Sequence, residues 1–282
     1  MAIATPPRSE YEDDMRVPDE SASNVTVSSL TVPNENVPNE SVPKVYLEPC
    51  RERFSVRANT RDATPVIGGF AKEQLAAMFR LQAERYGTVI AKLLATPQNA
   101  ELGAGTLDAR LAKVLAGKSA GELFPHATIV DDQMADACLA GLWLLANGLE
   151  QSHQISQSIE TPTGSFWHGI MHRREGDFGN SKYWFRRVGR HPIFERLGSD
   201  VRELAAAVTL PEAAPLASQA EWSPERWIDL CEVAVRSGRG GPSADSHSCS
   251  ASATALVEFC RQVQALEWGH LFDYSYRHAV GA

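Results

Sequence analysis

The chain has 282 residues, 43% hydrophobic and 22% charged, with 35 acidic against 27 basic side chains. Those proportions suit a soluble globular protein with enough apolar residues for a sizeable core. They exclude a membrane span, since the longest apolar run, 139–146, falls far short of roughly 20 residues, and a net charge of −8 disfavours a nucleic-acid partner.

The opening "MAIATPPRSEYEDDM" has neither the basic start of a secretory signal nor the acid-poor composition of a mitochondrial presequence. Five cysteines, Cys50, Cys138, Cys231, Cys249 and Cys260, form no CxxC pair, which points to reduced thiols and a cytoplasmic protein. Residues 1–60 read as a disordered acidic tail: "TVPNENVPNESVPKV" is an imperfect Pro- and Asn-rich repeat with few large apolar residues. Nine carboxylates against three basic residues give the first 50 positions −6 of the net charge. The tail is a solvated segment or a docking peptide for a protein partner.

From residue 65 to 282 the pattern is that of a single helical domain. Spacings of three and four in 71–95 predict an amphipathic helix bent at Gly87, and 107–117 predicts a shorter one with a glycine stop. Asp131 caps a longer run that is apolar nearly all round, the expected central helix. Ser165 is expected to cap a short helix through His172, and Ser181 another that stops at Gly189. Ser223, Pro224 and Gly238 bracket a further helix, 243–252 reads as a polar loop, and 254–280 as a long terminal helix. Strand alternation and hairpin turns do not occur, so the expected fold is all-α, an irregular helical bundle.

Chemistry concentrates in "SFWHGIMHRREGDFGNSKYWFRRVGRHPIFERL", residues 165–197. At about 100° per residue, His168, His172 and Glu175 project within a sector of roughly 60° on one helix. Two imidazoles and a carboxylate suit Zn, Fe or Mn, and Glu150 and His153 form a Glu-x-x-His pair that joins them as candidate ligands. Glu267 and His270 form a second such pair. Gly169 stands where the zincin pattern needs glutamate, so metalloprotease is rejected. His168 or His172 would otherwise serve as general acid or base, with Glu175 orienting a ring.

The arginines support a different ligand. Arg173, Arg174, Lys182, Arg186 and Arg187 could hold phosphate or carboxylate, with Trp167, Tyr183 and Trp184 walling the pocket. The competing reading is an internal ion-pair network. Nucleophilic motifs are poor: there is no G-x-S-x-G elbow and no phosphate loop, and His247 beside Cys249 lies in the polar stretch.

The string "ETPTGSFWHGIMHRREGDFGNSKYWFRRVGRHPIF" resembles a signature of uncharacterised bacterial, planctomycete-like, and fungal proteins. The resemblance extends to "CLAGLWLLANGLEQSHQISQSI", "WSPERWIDLCE" and "LEWGHLFDYSYRH", covering most of 131–278. That signature has proline where this chain has Gly176, which would alter the turn between two helices. The resemblance implies one natural domain and brings no mechanism with it. The expectation is therefore a His/Arg/aromatic site that binds, and in an enzyme turns over, a small anionic molecule. The alternatives are a metal-dependent (Zn, Fe or Mn) helical enzyme, and a non-catalytic scaffold whose polar cluster is structural.

Overall fold

A computed structural model describes residues 84–94, 101–238 and 247–282, which belong to one compact unit. The acidic segment expected to be disordered, and residues 71–83 of the first expected helix, lie outside the described residues. Eleven α-helices occur among the described residues, and no strand. We number them α1 (Gly87–Leu94), α2 (Ala109–Leu115), α3 (Ala120–Leu123), α4 (Asp132–Leu145), α5 (Leu149–Ser156) and α6 (Pro162–Glu175). The rest are α7 (Phe178–Val188), α8 (Phe194–Ala206), α9 (Ala214–Ala217), α10 (Pro224–Gly238) and α11 (His247–Val280). The all-α class expected from the sequence is the class found, and no described helix is long and apolar enough to cross a membrane.

Several boundaries follow the residues predicted to set them. Asp131 caps α4 by accepting from the Met134 amide at 3.0 Å, and Asp108 caps α2. Gly87, at φ 82, separates α1 from a 3-10 turn at Glu84–Tyr86, where a bend was expected. Other boundaries differ. The run beginning at Asp132 is two helices, because Asn147 takes φ 59 and turns the chain between α4 and α5. The α6 cap is Thr161, whose hydroxyl accepts from the Gly164 amide at 3.1 Å with Pro162 at the first helical position. Ser165 lies inside the helix. Asp177 caps α7, and Ser181 instead donates to the Gly169 carbonyl of α6 at 2.8 Å. Helix α11 begins at His247, within the expected polar loop.

Apolar patterning finds part of the buried centre and misses the rest. Helix α4 is buried from Ala137 to Leu144, but α6 is more enclosed, every residue from Thr163 to Arg174 being buried. It packs against α7, α5 and α4, while the long α11 runs beside α4, α8 and α10. Two apolar clusters result. One gathers α4, α6 and the C-terminal part of α11 around Trp167, Leu142 and Phe272; the other gathers α8, α10 and the earlier part of α11 around Trp227, Val201 and Phe259. Glycines set the approach of α6 to its neighbours. A Cβ at Gly141 would lie 2.8 Å from the Trp167 ring, and one at Gly169 would lie 2.8 Å from the Phe185 ring. The α6–α7 contact at Gly169 brings Trp184 down onto the following part of the site.

Candidate metal centre

One turn of α6 separates His168 from His172, so their rings share a face of the helix, with centroids 4.7 Å apart. Helix α5 carries His153 to the same place, 4.7 Å from the His168 ring and 5.4 Å from the His172 ring. Each of the three offers a ring nitrogen, and these nitrogens all lie within 4.8 Å of one another. His168 and His172 are buried and His153 is half-buried. Trp184 from α7, itself half-buried, stacks on His168 at 4.0 Å between centroids. A pocket of about 170 Å³ adjoins two of the rings, lined by Leu149, Glu150, His153, Met171, His172 and Glu175.

The hydrogen bonds determine where the imidazole protons are. Glu175 Oε2 lies 3.1 Å from His172 Nδ1, and a carboxylate can only accept, so Nδ1 carries the proton and Nε2 a lone pair. That lone pair faces His168 Nε2 at 2.9 Å, so His168 donates from Nε2 when nothing else occupies the site. His168 Nδ1 then has no hydrogen-bond partner among the described residues, although it is buried. The Asn180 amide of α7 completes the surroundings, 3.1 Å from His172 Nε2 and 3.4 Å from Nδ1.

Burial disfavours the charged form of His168 and of His172. Burial, with the neighbouring His172 and His153, pushes His168 down to about 3. Burial also lowers His172, against the opposing pull of Glu175. Neutral imidazole is the form that ligates transition metals. Two nitrogens 2.9 Å apart, each about 2.1 Å from a common ion, would subtend roughly 90°, within reach of a shared ion after small ring rotations.

The other residues singled out from the sequence separate into three groups. Glu150 and Glu175 border the pocket but stand outside the three-nitrogen cluster; Glu150 accepts from Gln154 Nε2 at 2.7 Å. Arg173, Arg174 and Trp167 point into the protein rather than toward a ligand. Arg173 forms a buried ion pair with Glu267, its Nη1 donating at 3.1 Å, and stacks over the Trp227 ring at 5.2 Å. Arg174 donates to the Leu144 carbonyl, the Asn147 side chain and the Gly103 carbonyl, closing the end of α4; burial and the nearby Arg173 charge lower it to about 10. Trp167 is core, its indole N–H donating to Ser275 Oγ at 3.3 Å. The third group lies on α7: Lys182 pairs with Asp229, Tyr183 is exposed, and Arg186 and Arg187 are exposed with Arg187 over the Trp184 ring at 5.2 Å.

The second Glu-x-x-His pair does not join the first. Glu267 is taken by Arg173, and His270 bonds Asp200 at 2.8 Å. The side chains of His247 and Cys249 lie outside the described residues. Sequence reasoning missed Asn180, Met171 and Leu149. The first could have been sought one cap beyond Asp177, where the α6–α7 turn returns the chain to His172. Met171 lies three residues after His168, on the face already singled out. No known family model, characterised protein or solved structure matches this chain, so its function rests on this geometry.

Proposed function

We infer that His153, His168 and His172 together bind one divalent transition-metal ion, and that the protein is a metal-dependent helical enzyme. The observation that carries this reading is the convergence of three imidazoles from two helices, two of which, His153 and His172, line a pocket. Histidine nitrogen suits Zn or Fe, and three protein ligands leave a coordination position for water or a small substrate. Manganese remains on the list because the pocket adds two carboxylates. The chemistry that such an ion supplies is a bound water acidified toward neutral pH and a polarised substrate oxygen, which suits hydrolysis or hydration.

The anionic ligand suggested by the arginines has less support. Arg173 and Arg174 have internal partners, Lys182 pairs with Asp229, and neither Arg186 nor Arg187 lines the pocket. The scaffold reading draws on the same Arg173–Glu267 pair, which is structural chemistry, but it gives no reason for three imidazoles to converge beside a pocket.

The test is elemental mass spectrometry on tag-free protein purified without chelator. Near-stoichiometric Zn, Fe or Mn is expected, and its loss in a His168→Ala/His172→Ala variant. Protein that neither retains metal nor takes up added Zn after mild denaturation and refolding would sink the reading.

A further inference from the structure

The two carboxylates at the pocket are held differently, and the difference assigns a role. Glu150 accepts from Gln154, a residue of its own helix. Glu175 accepts from a ring nitrogen of the cluster itself. We propose that Glu175 is the positioning residue of the centre: its carboxylate fixes His172 as the Nδ1–H tautomer and turns Nε2 toward the ion, without itself being a ligand. The proposal rests on the metal reading above.

Three observations support it. The bond is 3.1 Å from Glu175 Oε2 to His172 Nδ1, while His172 Nε2 lies 2.9 Å from His168 Nε2, inside the trio. Metal-bound histidines characteristically donate their second ring N–H to such a carboxylate, which raises their basicity and fixes their orientation. Second, the Glu175 side chain is 56% exposed, so its loss strands no buried charge. Third, Glu175 is the last residue of α6, where the helix dipole disfavours an acidic side chain. Helix stability alone gives no reason for glutamate there. The backbone at this point is well defined: Gly176 follows at φ 94, a conformation closed to proline, and its amide bonds the His172 and Arg173 carbonyls. The carboxylate therefore leaves a fixed helix end and reaches back one turn to the ring.

The experiment is a cobalt(II) titration of the full chain, followed by visible absorption and calorimetry, on the unaltered protein, Glu175→Ala and Glu175→Gln. Glu175→Ala is expected to bind about 10–100-fold more weakly, with the melting temperature of the metal-free protein unchanged. Glu175→Gln should recover most of that loss, since its amide oxygen accepts the same N–H. In parallel, ¹⁵N shifts of metal-free protein should show His172 protonated at Nδ1. Wild-type affinity in Glu175→Ala overturns the positioning role alone. Glu175→Gln as weak as Glu175→Ala, with an altered cobalt spectrum, makes Glu175 a ligand and overturns it too. If the unaltered protein takes up no cobalt while His172 carries the Nδ1 proton, the metal reading falls and the positioning role with it.

Discussion

His172 and Arg173 are consecutive on α6, both buried, and they belong to opposite kinds of polar site. Arg173 faces α11 and is answered there by Glu267, with Gln264 beside it and the Trp227 ring beneath it. Along α11, Glu267 falls between Val263 of one apolar cluster and Trp268 of the other. His172 faces α5 and a pocket, in a group of three imidazoles where His168 keeps a buried nitrogen without a partner. A polar group with its charge matched internally is structure. Imidazoles gathered at one point, two of them lining a pocket, are candidates for a ligand. One face of α6 thus carries the proposed metal site and another a buried ion pair.

The structural half can be broken most severely. Arg173→Met leaves the Glu267 carboxylate buried without a counter-charge, and a stranded buried charge costs about 3–5 kcal/mol. Adding Glu267→Gln should recover much of the loss by removing that charge. Urea denaturation of the single and double variants measures both. A cost below about 1 kcal/mol, the level of an exposed pair, would mean that water reaches the pair and that the two faces of α6 do not differ as argued.

Why one of these sites was more legible than the other follows from α6 itself. Helix class, the Asp131 cap and the bracket of α10 depend on local spacing and on Ser, Asp, Pro and Gly, and these the sequence shows. The three histidines were also singled out, two by an i,i+4 spacing and His153 by its pairing with Glu150. The burial of α6 was hidden, because its residues include Ser165, His168, His172, Arg173 and Arg174, and hydropathy reads such a helix as exposed. Its enclosure depends on partners distant in the chain: Glu267 for Arg173, Leu144 and Asn147 for Arg174, His191 for Thr163. No spacing rule reports a partner some 90 positions away, so the arginines looked like ligand donors.

Acid sharpens the comparison from the functional side with a smaller effect. His168 titrates near 3 in the folded protein, against about 6.5 when unfolded, because burial and two neighbouring imidazoles oppose its charge. Between those values the unfolded chain binds more protons, so stability from this residue is complete above about pH 6.5 and is lost progressively as pH falls toward about 3. His172, lowered by burial, adds in the same direction. The slope should be a fraction of the limiting ~1.4 kcal/mol per pH unit per group, since the cluster adjoins a pocket where water screens it. Urea midpoints of metal-free protein between about pH 7 and pH 4 should fall less steeply for His168→Gln than for the unaltered chain. Parallel curves would mean that folding does not shift the His168 titration and that its ring is not shielded as argued.

The smallest expected change in stability separates the two sites most cleanly. His153 is half-buried, bonds no partner from another helix among the described residues, and meets the cluster through ring contacts at 4.7 and 5.4 Å. His153→Ala removes no matched charge, so the metal-free protein should lose only about 1 kcal/mol, the ordinary cost of a point substitution. It removes the one imidazole contributed by α5, leaving two nitrogens on α6 to hold an ion. Metal retention measured beside the melt should therefore collapse while the metal-free melting temperature holds. A variant that keeps its metal would confine the centre to α6. One that melts far lower would make His153 a second Arg173, a polar residue whose purpose is the fold.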